Sequence, residues 1–375
     1  MTDRTPKVSD PHAIAWISET QDDGRNIDSE LGILSGEAAS QVTLRSKYDR
    51  ALRAQSFPYI PSKQSQASPS YYDAPMLKQP VWIWSIPAYF YVGGVAGVGA
   101  TFGAAAQLFA PEAMRSLVLK SRWTATVGGA MSAALLIHDL GVPSRFLNML
   151  RVFRISSPMS MGSWILSIFS TAAGGAAVLS LGPNIFRPVA ETCGVVAGLL
   201  GLGLSGYTGV LISQSAVPVW QQAYRTMPVL FLASGTAAAA SFFEFFKLNE
   251  PEHRAVQRFA LMGKMVELLA TATLEADANR VKRVGRPLKQ GFSGFLWQTA
   301  KVLTVASAVL SVLPGRSRKK TITAAFLGSL ASLGLRFGIF YAGKASALDP
   351  RASFEVQRKL ASPDAGDLAA EARPN

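Results

Sequence analysis

The chain has 375 residues, a formal net charge of +13 and only 16% charged side chains. A soluble domain carries about 25% charged residues, and the apolar residues here are gathered in long blocks, which excludes a string of ordinary soluble domains. The basic residues are scattered between those blocks, so the charge fits loops flanking membrane spans and not a nucleic-acid surface.

Residues 1–78 are polar and mixed in charge. They lack a basic stretch followed by a short apolar core, so no signal peptide is expected. Leu31, Leu34, Val42, Leu44 and Leu52 stand among charges, a pattern that predicts an amphipathic helix within 28–55. Residues 57–75, FPYIPSKQSQASPSYYDAP, read as an extended linker. This N-terminal arm is either a disordered tail or a segment that orders on a partner subunit.

A hydrocarbon core is crossed by about 20 mostly apolar residues. The first such span starts near Val81, with Trp82 and Trp84 as interfacial anchors and Pro87 as a kink that neighbouring helices can accommodate. Gly93, Gly97 and Ala100 offer a small-residue face for close helix approach. The run GGVAGVG lacks the Lys-Ser/Thr of a phosphate-binding loop and the strand context of a dinucleotide fold. The second span, from Trp123, ends in His138 and Asp139, and the third runs from Ser157 to Leu181. Their connection carries Arg145, Arg151 and Arg154.

The fourth span, about 189–217, holds Cys193, Tyr207, Thr208, Ser213 and Gln214. The fifth, about 227–246, ends with Glu244 among phenylalanines. The sixth, about 256–276, places Lys264 and Glu267 three residues apart on one helix face. The seventh, about 292–313, contains Lys301, and the eighth, about 321–345, contains Arg336. The expected fold is therefore an all-α integral membrane protein of eight transmembrane helices. Polar neutral groups mark the first four spans and charges the last four, which points to two four-helix bundles. The expected layout is an arm at 1–78, a membrane domain at 79–347 and a polar tail at 348–375. Basic residues are plentiful in the 280–289 and 316–320 loops, which fall on opposite faces, so the positive-inside rule sets no orientation.

Cys193 is the single cysteine, which excludes an internal disulfide, a cysteine-ligated cluster or a zinc site within the chain. Of the three histidines, His12, His138 and His253, only His138 falls in an apolar span, so no haem is expected between two transmembrane histidines.

Three stretches carry a family resemblance. They are SYYDAPMLKQPVWIWSIPAYFYVGGVAGVGA, then HDLGVPSRFLNMLRVFRISSPMSMGSWIL, then GYTGVLISQSAVPVWQ. Together they resemble the NrfD family, the polysulfide reductase membrane subunits, over about residues 70–350. Many members have Arg where this chain has Val142, while Asp139, Pro143 and Arg145 match. The resemblance implies a haem-free, eight-helix subunit of the cell inner membrane. It would exchange electrons between the quinone pool, menaquinone or ubiquinone, and a ferredoxin-like iron–sulfur subunit, often with a molybdopterin catalytic subunit, as in anaerobic respiration. Two other classes stay open on the residues alone: a secondary transporter, which predicts paired repeats, and a purely structural membrane anchor.

Quinone chemistry moves two electrons and two protons, so it needs donors at the carbonyls and a titrating relay to water. Tyr207 and Tyr89 are candidate quinone-binding groups, and His138 and Asp139 candidate proton carriers. Each has a plainer reading, as interfacial anchor or as turn-shaping residue. Arg145 is a candidate charge partner for Asp139, or a contact for lipid phosphate or a partner protein. Glu244, Glu267, Lys301 and Arg336 form a candidate proton path, or else paired charges that hold helices together.

Overall fold

The computed structural model describes residues 77–314 and 317–361, together with 27–28 and 33–34. Contacts divide the chain into two units, Met1–Phe57 and Pro58–Asn375. In the first, Ile27–Asp28 pairs antiparallel with Ile33–Leu34, so a helix does not run through 28–34 as the apolar spacing predicts. The β-branched Ile27 and Ile33 favour extended backbone there. The rest of the expected arm lies outside the described residues.

The second unit is helical. Its long helices are α1 (Ser85–Phe109), α2 (Arg115–Leu140), α3 (Pro158–Leu179), α4 (Arg187–Ser213), α5 (Thr226–Glu244), α6 (Glu250–Asn279), α7 (Gly291–Val312) and α8 (Arg318–Ala347). Among the described residues, six of them are long and apolar enough to cross a membrane: α1, α3, α4, α5, α7 and α8. A seventh span is possible if α2 is taken with the 3-10 helix Pro143–Leu150, from which it is bent by 112°. The expected count of eight is thus higher than hydropathy of the folded helices supports. The reason is where the helices begin and end. The α2 helix opens with Arg115, Lys120 and Arg122 and closes with His138 and Asp139, and α6 carries acids and bases along its whole length.

Helix boundaries follow local chemistry. Gly141 adopts the left-handed conformation (φ 71°) that closes α2, as a residue without a Cβ can. Pro158 occupies the first turn of α3, and Ser157 caps it by accepting from Ser160 N at 3.4 Å. The start of α6 is a capping box in which Asn249 N donates to Glu252 Oε2 at 3.0 Å. The other oxygen of buried Glu252 accepts from Leu117 N at 2.7 Å, which satisfies an amide of the first turn of α2 from a different helix.

Packing links α1 to α2, α4, α5 and α8, while α3 lies against α2 and α4, α6 against α5 and α7, and α7 against α8. The most buried span is α5 (72%) and the least is α7 (28%), so α5 is central and α7 peripheral. The approach of α1 to α4 depends on the small face seen in the sequence. A Cβ added to Gly201 would overlap the carbonyl of Gly97. Residues 350–361, expected as the start of a polar tail, form a further helix, α9 (Pro350–Ala361). Arg283 holds it through Asp349 at 2.8 Å and Glu355 at 3.7 Å, with Ala352 buried beneath.

Candidate functional site

The helices alternate in direction, so the start of α1, the end of α2, the start of α3, and the ends of α4 and α8 share one end of the unit. Here the backbone leading into α1 is held by three elements. Ile83 N donates to Asp139 Oδ1 on α2 at 3.0 Å. Lys344 Nζ on α8 donates to the Trp82 carbonyl at 2.5 Å and lies 4.9 Å from the centre of the Phe340 ring. The Trp82 ring stacks on Trp220 at 6.1 Å, and Trp220 Nε1 donates to the Ile339 carbonyl at 3.0 Å. His138 is exposed, with its ring 5.6 Å from that of Trp84.

Asp139 is half-buried, and the charged neighbours that act on it are Lys344 and His138. Arg145, expected as its partner, is instead exposed on the 3-10 helix. The αL turn at Gly141 carries the chain sharply away from α2, which takes Arg145 off the α2 axis. The cation that replaces it comes from α8, more than two hundred residues away in the chain, and only the packing of α8 beside α1 brings it there.

Tyr207 donates its hydroxyl to the Pro158 carbonyl, and its ring covers Gly162, where any Cβ would overlap it. Tyr89 is buried in the core. The glycines flanking Tyr207 differ. Beside Gly206 nothing lies within 4 Å, whereas Gly209 is closed against Met227 and Pro228 of α5. Space beside the tyrosine therefore exists at Gly206 and not at Gly209.

A second set of polar groups runs through α5–α8. At the far end, Arg318 donates to the carbonyls of Glu244 (2.9 Å) and Phe245 (2.6 Å), an arginine cap on the end of α5. Glu244 is buried, and its Oε2 has no hydrogen-bond partner among the described residues. Lys264 acts on both Glu244 and Glu267 and donates to Ser311 Oγ at 3.0 Å. Glu267 accepts from Thr304 Oγ1 at 2.7 Å and Ser332 Oγ at 3.3 Å.

Arg336 donates to the Phe231 carbonyl at 2.8 Å and lies 4.3 Å from the centre of the Phe231 ring, leaving Nε and Nη1 without a partner. Glu244, Lys264, Glu267 and Arg336 thus place two acidic and two basic side chains in one buried line. Lys301 does not join this line. It pairs with Glu275 at 2.7 Å in a part-exposed site that Trp297 Nε1 also joins, at 2.5 Å. Lys344 and Glu275 are absent from the sequence-derived set, although a lysine inside an apolar span is the same signal that picks out Arg336.

A search of curated proteins finds no match for this chain. A family model described as "Polysulphide reductase, NrfD" matches residues 74–345, most of the chain, and includes all eight long helices apart from the last turn of α8. The chain is therefore a multi-pass membrane protein that belongs to the NrfD family, membrane subunits of polysulfide reductase-like complexes.

Proposed function

We propose that this chain is the quinone- or quinol-interacting subunit of an inner-membrane oxidoreductase complex, exchanging electrons between the quinone pool and a ferredoxin-like iron–sulfur subunit. A molybdopterin catalytic subunit would complete such a complex. The family match over 74–345 is the observation that carries the reading. All eight long helices would span the membrane, as two four-helix bundles, α1–α4 and α5–α8. The packing of α2 beside α1 and α3, and of α6 beside α5 and α7, supports this, because such neighbours share one depth. Of the charges of α6 that hydropathy counts against it, Lys264 and Glu267 are buried among helices and not turned to lipid.

Oxidation of a quinol supplies two electrons and two protons. The residues at the shared end of α1–α4 fit such a ligand in part. Tyr207 has given its proton donor to Pro158, but its oxygen can still accept from a quinol hydroxyl, and the open side of Gly206 lies next to it. Asp139 and His138 would take protons toward water from that end, with Lys344 holding Asp139 in place. Tyr89 would close the inner wall. Glu244, Glu267 and Arg336, with Lys264, would form a proton route across α5–α8. Arg145, on the exposed 3-10 helix, and residues 1–78 are assigned to contact with the partner subunit. Electrons would pass to the partner because this chain, with one cysteine, offers no cluster site of its own, and no haem is expected in it.

One observation favours a second reading, a structural membrane anchor: Asp139 and Tyr207 already have backbone partners in Ile83 and Pro158. The test is isolation of the complex through a tag on this chain. Extractable quinone, iron–sulfur signals on a partner and quinol-dependent reduction of those centres are expected. A complex that oxidises quinol equally well after this chain is stripped away would refute the proposal, and a haem absorption band tracked to this chain would refute the cofactor assignment.

A further inference from the structure

At the opposite end of α1–α4, the α1–α2 and α3–α4 turns and the first turns of α2 and α4 enclose a cavity of about 840 Å³. Its walls carry Arg115, Lys120, Arg122 and Arg187 against two acids, Glu112 and Glu191. Glu191 is engaged by Arg187 at 2.8 Å. Arg122 is half-buried and held in a fixed plane. It donates through Nη1 to Ser180 Oγ and through Nη2 to Gln107 Oε1 at 2.8 Å, while Gln107 is itself anchored to the Glu191 carbonyl at 2.9 Å. Its buried Nε has no hydrogen-bond partner, and Arg122 forms no ion pair among the described residues. The site is therefore a cationic pocket with a fixed arginine in its wall, in which Lys120 already donates to the Lys247 carbonyl at 2.6 Å and Arg115 is exposed. The start of α4 adds its positive dipole end, while that of α2 is already met by Glu252.

Apolar side chains accompany these polar ones. Leu119 and Leu179 line the pocket, and Leu108, Phe109, Leu181, Ile185 and Phe186, near lining residues in sequence, stand exposed, Phe109 at 86% and Ile185 at 78%. A soluble anion gains nothing from such a collar. A molecule with an anionic head and acyl chains matches both parts, since the head accepts charge-assisted hydrogen bonds and the chains cover the collar. From the pocket and the collar together, we propose that this end of α1–α4 binds the phosphate headgroup of an anionic phospholipid, with its acyl chains along the α1–α2 and α3–α4 turns. The site is separate from the redox reading. Loss of quinol oxidation with lipid binding intact would count against that reading alone.

The experiment uses the full chain, purified in detergent and delipidated. Thermal unfolding is followed on titration with phosphatidylglycerol, phosphatidylcholine or inorganic phosphate, and retained lipid is counted by native mass spectrometry. Phosphatidylglycerol is expected to stabilise the wild type and to be retained, and the other two probes are not. The double variant Arg115→Gln/Arg187→Gln is expected to bind phosphatidylglycerol about tenfold more weakly, the loss that accompanies removal of charge-assisted hydrogen bonds. Arg115→Gln alone, at an exposed position, gives a smaller shift in the same direction and serves if the double variant folds poorly. An equal response of variants and wild type would overturn the site. Equal stabilisation by inorganic phosphate would overturn a lipid in favour of a soluble anion, and equal stabilisation by phosphatidylcholine would overturn recognition of the anionic head.

Discussion

Asp139 separates the two readings of the end where α1 begins, because its clamp and its proton chemistry respond differently to two substitutions. Asp139→Ala removes the acceptor for Ile83 N and the charge that faces Lys344. A hydrogen bond to a charged group contributes about 1.5–3 kcal/mol, and the half-buried setting of Asp139 argues for the lower figure. Asp139→Asn keeps an oxygen in the same place, so the 3.0 Å contact survives as a neutral bond and the loss is about 1 kcal/mol or less. The asparagine variant should therefore assemble normally, with the alanine variant measurably less stable in thermal unfolding of the purified chain. If Asp139 also carries a proton, the asparagine variant loses roughly 100-fold in quinol-dependent electron transfer within the assembled complex, the lower range of a general acid–base contribution. Wild-type turnover in the asparagine variant would refute the proton role and put the structural-anchor reading ahead. Unchanged stability in the alanine variant would refute the clamp.

Glu252→Ala strands the buried amide of Leu117 and removes the acceptor of the part-buried Asn249 N, and is expected to destabilise the chain by about 1–3 kcal/mol; a melting temperature equal to wild type would contradict the bridge between α2 and α6. Gly201→Val forces α1 and α4 apart at Gly97 and should abolish recovery of folded protein, whereas Gly206→Ala, with nothing within 4 Å, should leave it intact; the pair is read by size-exclusion profile in detergent. Tyr207→Phe keeps the ring over Gly162 and loses the bond to the Pro158 carbonyl, a cost of about 0.5–1.5 kcal/mol; a larger loss of stability would mean that the hydroxyl has a further partner.

Much of this protein follows from the chain alone. Apolar blocks with few charges determine where helices α1, α3, α4, α5, α7 and α8 lie, because a helix satisfies its own backbone hydrogen bonds in hydrocarbon. Turn chemistry at Gly141, Pro158 and Asn249 sets the end of α2 and the starts of α3 and α6. The motif HDLGVPSRF, with the stretches on either side of it, was enough to indicate the family. The small face at Gly97 was legible as a contact surface, though not as the contact with Gly201. What the chain alone leaves open is which charge meets which. Asp139 is six residues from Arg145 in sequence, yet an αL glycine turns Arg145 away and the packing of α8 supplies Lys344. Likewise Glu252, an ordinary acid near a helix start, becomes a cap for a different helix only because α6 begins beside α2. Hydropathy is a local sum and marks the helices, but pairing of buried charges depends on which helices are neighbours. That is decided by the fit of side chains across the whole unit, so the partners of Asp139, Glu252 and Glu267 belong to the tertiary structure alone.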